Sequence, residues 1–205
     1  MRKTTILMVG IILAMSFTSG CSKPTEQKSQ STIQNTTTVR TTTQNTTTQT
    51  ADKIEYLWKG KLYFPDNNNN AMYIVGEERE MKAVTDGTDK VDIAAKAKIM
   101  LEEMIKGPKT KDLSASIPKN TNVLSVVFEN GTMVVDLSRE FVDESSGGST
   151  GEIMALGPIV LALTELEGVK QVSIKIEGKQ QTDFKGHFTL DKPLKRAEFE
   201  QYIKK

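Results

Sequence analysis

The sequence predicts an α+β fold: a two-layer α/β sandwich with a mixed or antiparallel sheet in the order β-β-α-β-β-α-β, after a disordered N-terminal tether. Three observations predict it. Asn130-Gly131 separates two β-rich apolar runs, VLSVVFE and TMVVDL, and this dipeptide accepts the positive φ of a type I′ hairpin turn. Apolar residues recur at helical spacing before and after that hairpin. Val172, Ile174 and Ile176 then alternate with Ser173, Lys175 and Glu177, which is the period of a strand with one wet face.

Residues 1–21 read as a secretory signal: Arg2 and Lys3 precede an apolar run from Ile6 to Phe17, and small residues lead to Cys21. The run is short for a membrane span. Cys21 is the sole cysteine, so the chain can form no internal disulfide. Its place after Ser19-Gly20 resembles a bacterial lipobox, which implies acylation of Cys21 and anchoring to the outer face of the membrane.

Residues 22–53 are rich in Thr, Gln, Asn and Ser, with QNTTT at Gln34 to Thr38 and again at Gln44 to Thr48. Such a segment buries too little apolar surface to offset its ordering entropy, so a disordered linker is expected. A coil of about 31 residues reaches on the order of 30 Å.

The domain is expected over 54–205, with near-balanced charge, which argues against a nucleic-acid partner. Lys61 to Phe64 and Met72 to Val75 read as strands joined through Pro65-Asp66 and the Asn67 to Asn70 run. A first helix is expected from Asp89 to Lys106, carrying Ala94, Ala97, Leu101 and Met104 on one face, with Asp89 as N-cap and Gly107-Pro108 as the stop.

In the hairpin, the Asn130-Gly131 loop places Glu129 opposite Thr132, Phe128 opposite Met133, Val126 opposite Val135 and Leu124 opposite Leu137. These last six side chains then share one apolar face that a helical layer must cover, since burial is worth roughly 1.5 to 3 kcal/mol for each.

The second helix is expected to open at Ser149, with Ser149 and Glu152 as a capping box, Gly147-Gly148 meeting a backbone requirement just before it and Gly168 closing it. Ile153, Leu156, Val160, Leu163 and Leu166 would face the sheet, and Pro158 predicts a kink. A short helix over Arg196 to Lys204 completes the expectation.

Two constellations suggest chemistry. Gly147 to Gly151 spells G-x-S-x-G ahead of a helix, with Asp183 and the only histidine, His187, downstream in hydrolase order. Asp143-Glu144-Ser145-Ser146 stands where the apolar strand of a nucleophile elbow is required, so a helix start explains Ser149 better. No second His accompanies His187, so no cofactor or transition-metal site is expected. Glu77, Glu78, Arg79 and Glu80 read as a solvated face with surface ion pairs.

Taken in order, YFPD (Tyr63 to Asp66), EER (Glu77 to Arg79), KGP (Lys106 to Pro108), Ile117-Pro118, NGTMVVDLSREF (Asn130 to Phe141), GGS (Gly147 to Ser149), LTELEGV (Leu163 to Val169), IEG (Ile176 to Gly178), Gly186-His187 and PLKR (Pro193 to Arg196) resemble the GerMN domain of bacterial sporulation and spore-germination lipoproteins. The resemblance implies a fold similar to ring-building domains. It also implies a non-enzymatic, membrane-anchored lipoprotein whose partners are envelope or sporulation-complex proteins. The alternative is an envelope lipoprotein that binds peptidoglycan or cortex; a serine hydrolase is the third reading.

Overall fold

The computed structural model describes residues 53–69, 72–86 and 90–205; the signal, Cys21 and the linker up to residue 52 lie outside them. The predicted order is present as β1 (Lys53–Pro65), β2 (Ile74–Asp86), α1 (Ile93–Lys106), β3 (Val123–Glu129), β4 (Thr132–Leu137), α3 (Gly148–Leu163) and β5 (Gln171–Ile176), with one extra turn of helix, α2 (Glu140–Asp143), between β4 and α3. Short strands β6 (Lys179–Gln180), β7 (Asp183–Phe184), β8 (Phe188–Thr189) and β9 (Leu194–Lys195) follow. In place of a terminal helix come two 3₁₀ turns, Arg196–Glu198 and Glu200–Tyr202.

Asn130 (φ 50°) and Gly131 (φ 79°) turn the β3-β4 hairpin, and Glu129, Phe128 and Val126 pair with Thr132, Met133 and Val135. Beyond that the register differs from the expected one. Val123 faces Leu137 and Ser125 faces Asp136, so Leu124 is the extra residue of a β-bulge and stands 49% exposed. A bulge leaves its added residue outside the ladder, which turns Leu124 out of the apolar face. Met133, Val135 and Leu137 are fully buried, while Val126 and Phe128, on edge strand β3, are half-buried.

β5 runs parallel to β4, from Thr132 opposite Gln171 to Leu137 opposite Ile176, while β6 and β9 pair with β5 antiparallel. This mixed sheet is one of three; β1 and β2 form a separate ribbon and β7-β8 a small hairpin. The ribbon strands are thirteen residues each, far longer than the four predicted. Lys53, assigned to the linker, already pairs with Asp86.

Helix α1 lies on β3 and the ribbon through Ala97, Met100, Leu101 and Met104. Its N-cap is Asp92, with the carboxylate accepting from the N–H groups of Ala94 (3.0 Å) and Ala95 (3.3 Å); Asp89, the expected cap, lies outside the described residues. Helix α3 packs chiefly on β1 and also touches α1, β5, β8 and the C-terminal turn. Every residue from Met154 to Leu163 is buried, so this helix is apolar all round, the pattern of a helix enclosed by protein. It runs through Pro158. Gly157 is required at one contact, because a Cβ there would lie 2.9 Å from both Ile74 Cδ1 and Phe199 Cδ1.

Candidate functional site

The predicted solvated face is present at Glu78 and Glu80, which are exposed, but not at Arg79 and Glu77 between and beside them. Arg79 is only 3% exposed, and its Nη1 donates to the carbonyls of Glu103 and Gly107 at 3.1 Å each and to Glu103 Oε2 at 3.4 Å. Its Nη2 donates to Glu77 Oε1, and the guanidinium lies 5.5 Å from the centroid of the Phe64 ring. A long cation is drawn inward here because the C-terminal turn of α1 leaves carbonyls without helical partners and a fixed negative dipole end. Glu77 also accepts from the N–H groups of Lys109 and Thr110, both at 3.0 Å, and from Thr110 Oγ1 at 2.9 Å. Burial alone would raise the Glu77 carboxyl, but the Thr110 N–H and Arg79 outweigh it and hold it below the usual value. Lys106 and Arg79 do the same for Glu103 against its own burial.

A second junction joins β1, the end of α3 and the C-terminal segment. Tyr63 Oη donates to Glu165 Oε1 at 2.6 Å and accepts from Arg196 Nη2 at 3.1 Å, while Arg196 Nη1 donates to the Leu161 carbonyl at 3.0 Å and Thr164 Oγ1 at 3.2 Å. Burial, then the Glu165 contact, raises the Tyr63 hydroxyl. Gly168 does not close α3, which ends at Leu163 with Thr164 as its C-cap; Gly168, at φ 87°, turns the chain later, ahead of β5.

The Ser149-Glu152 capping box does not form either. The N-cap is Gly147, with no side-chain cap, and Gly148 takes φ 79° just inside the helix. Glu152 is fully buried and accepts from the N–H groups of His187 (3.0 Å) and Phe188 (2.8 Å), with His187 Nδ1 2.7 Å away. The helix start is thus tied to the β7-β8 turn instead of to itself. These contacts bear on the hydrolase constellation: the carboxylate that orients His187 is Glu152, while Asp183 sits exposed in β7 opposite Thr189 and Ser149 is exposed on the first turn of α3.

Beside Pro65 lies an open groove of about 530 Å³. One wall is the loop from Ser114 to Lys119 and the other is Glu144 to Gly147 with the first turns of α3, through Thr150, Gly151, Met154 and Ala155. Ile117, Met154 and Ala155, at 1%, 7% and 4% exposed, supply apolar surface. The far wall is pinned: Ser145 Oγ donates to the Phe141 carbonyl and Lys185 Nζ to the Ser145 carbonyl, both at 2.5 Å, and Asn120 Nδ2 donates to Glu144 Oε1 at 2.9 Å. Gly151 is required where Ser146 folds over the helix start, since a Cβ would lie 2.6 Å from the Ser146 carbonyl oxygen.

The near wall is the reverse. Ala115, Ser116 and Ile117 make no hydrogen bond among the described residues, by main chain or side chain, although Ser116 is 7% exposed and its Oγ is buried. Of the predicted site residues, Gly147 lines this groove with Gly148 and Ser149 beside it; Asn130, Gly131 and Gly168 do not line it, and Glu152 faces away toward His187. The sequence reading passed over Ser116 and Lys119. Its available signal was a run of small residues, Ser114-Ala115-Ser116, placed between a helix and a hairpin.

Comparison with known proteins gives three results. No curated protein sequence matches the chain. Among solved structures, a Clostridium perfringens protein described as a lipoprotein has TM-score 0.49 and 20% identity, covering 73% of this chain and 94% of that one. The first GerMN domain of the sporulation protein GerM from Bacillus subtilis has TM-score 0.49 and 21% identity over 68% and 98%; the tandem GerMN domains of the same protein have TM-score 0.49 and 23% identity over 69% and 46%. The model of the Germane family, described as sporulation and spore germination, matches residues 61–182, and since that stretch is more than half of the 205 residues, the chain belongs to this family.

Proposed function

We propose that the chain is a lipid-anchored module of the envelope of a spore-forming bacterium, held at the outer face of the membrane through Cys21, which serves sporulation or germination by contact with other proteins and without catalysis. The observation that carries this reading is the family match over residues 61–182. The geometry is in keeping with it. Arg79, Glu77, Tyr63, Arg196 and Glu152, the polar groups a reader would first assign to chemistry, are spent on joining elements to one another. The groove left open presents hydroxyls and main chain. Among the described residues no helix is long and apolar enough to cross a membrane.

A deletion strain scored separately for spore formation and for germination tests the biological role; normal scores in both would sink it. Cys21→Ala in the same background is expected to release the protein from the membrane fraction into the medium, and retention would remove the lipid anchor from the proposal. A second reading, binding of peptidoglycan or cortex, draws on the hydroxyls of Ser114, Ser146 and Thr150 along the groove. Co-sedimentation with purified sacculi tests it.

A further inference from the structure

We infer that the open edge of β3 pairs with the same edge of a second copy of this chain, antiparallel and about a two-fold axis at Val127. This rests on the reading of the chain as a contact module and names one partner, a copy of itself.

β3 is the outermost strand of the mixed sheet and pairs with β4 alone. None of its seven residues is buried, whereas β4 buries three of six. The two-residue turn makes Glu129 and Thr132 a hydrogen-bonded pair, so Val127 and Val134 form the next one, and the main chain of Val126 and Phe128 points away from β4. Those N–H and C=O groups have no hydrogen-bond partner among the described residues.

An open row of this kind is a template for another strand, and proteins ordinarily blunt it with charge, proline or a bulge. The ribbon does so: its strands, also without outer neighbours, carry Lys53, Glu55, Lys59 and Lys61 on β1 and Glu78, Glu80 and Lys82 on β2. β3 has no Lys, Arg or Pro, and its one charge, Glu129, stands at its end. Its bulge, at Leu124, leaves Ser125 to Glu129 in unbroken alternation. Val127, in the middle of that stretch, is 43% exposed.

What each register would bring together selects the occupant. With Val127 opposite its counterpart, Val126 meets Phe128 on the inner face, and the two exchange the main-chain bonds that β4 leaves open. On the outer face the two Val127 side chains cover each other, and Ser125 meets Glu129, a hydroxyl that can donate to a carboxylate. Moving the axis one residue either way sets that carboxylate against Val123 or Val127. A parallel pairing in register stacks Glu129 on Glu129, whereas the two-fold keeps the two carboxylates roughly 13 Å apart along the strand. The contact is isologous, so it closes at two copies. It is also small, so the pair is weak in dilute solution and gains from chains held on one surface.

Sedimentation equilibrium of the purified full chain tests the pairing. Wild type is expected to pass from monomer to dimer between about 10 and 500 μM and to stop there. Val127→Lys, which sets like charges across the axis, should stay monomeric over that range at an unchanged thermal midpoint. Cysteine trapping reads the register. In a Cys21→Ser background, Val127→Cys carries the only thiol, and the close approach of a non-hydrogen-bonded pair lets it bridge to its counterpart under mild oxidation. Covalent dimer should form at least about tenfold faster than with Leu57→Cys, a position that is more exposed, at 58%, but lies on the ribbon. A monomer at every concentration, assembly beyond two, indifference to Val127→Lys, or equal trapping at 57 and 127 would overturn the inference. The deletion strain keeps the two claims separable: a monomeric protein whose loss impairs spores overturns the pair and leaves the contact module standing, and a dimer whose loss impairs nothing does the reverse.

Discussion

Arg79 illustrates how far a single residue can depart from its local sequence. Flanked by Glu77, Glu78 and Glu80, it looks like part of a wet strand face, yet it is the cation on which the end of α1 closes. Removing one partner of a buried ion pair leaves the others charged and unsatisfied, at a cost of about 3–5 kcal/mol. Arg79→Ala should lower the unfolding free energy by that amount in denaturant titration, and a loss near zero would show that the cluster is solvated after all. The same cluster sets a pH dependence. Glu77 and Glu103 both have folded-state values below the ordinary 4.5, so the stability they lend is complete above that value and is lost as pH falls through the lower, folded ones. A denaturation midpoint followed from pH 6 downward should therefore fall in acid, and Glu77→Gln should flatten that fall; an identical profile in the variant would place the acid sensitivity elsewhere.

At the scale of elements, the hairpin was the most legible feature because two short-range rules act on adjacent residues: Asn-Gly fixes the turn, and period-two alternation fixes the face. The rule of alternation fails at Leu124 for a reason it cannot contain, since a bulge is decided by how the edge strand ends against Ser138 and Asn122. Leu124 and Val135 therefore separate cleanly by mutation. Leu124→Ser should change stability by no more than about 0.5 kcal/mol, whereas Val135→Asp buries an unpaired carboxylate and should abolish the cooperative melt. Equal effects would contradict the register. Capping was less legible. Ser149 and Glu152 have the spacing of a capping box, but Glu152 finds three donors on the β7-β8 turn, a long-range alternative invisible to a window of four residues. The length of the ribbon was hidden in a similar way: Ile54, Tyr56 and Trp58 alternate as a strand should, and their partners lie beyond a loop, at Thr85, Ala83 and Met81. The groove left only the small-residue run Ser114-Ala115-Ser116 as a signal, because its two walls come from segments about thirty residues apart.

The whole molecule closes through residues beyond the family match, which ends at residue 182. Phe184, Leu190, Leu194 and Phe199 are 0%, 1%, 3% and 0% exposed, and Phe199 stacks on Phe188 with centroids 5.5 Å apart. Ile203 bridges to Ile74 at the start of β2, and Lys204 pairs with the buried Asp66 at 2.6 Å, so the last residues of the chain return to the ribbon with which the domain begins. Those four core side chains alone are worth roughly 6–12 kcal/mol of burial, comparable with the 5–15 kcal/mol by which an ordinary domain is stable. Their loss would not come alone. Glu152 would keep its buried position without the N–H groups of His187 and Phe188, and Tyr63 and Glu165 would lose Arg196. A chain ending at Gln181 is therefore expected to lack a cooperative thermal transition and dispersed amide resonances, although it contains nearly the full matched stretch. If that shorter chain instead melts cooperatively within about 5 °C of the full one, a shift of only about 1–2.5 kcal/mol for a domain this size, the C-terminal segment is an appendage and Glu152 is satisfied without it.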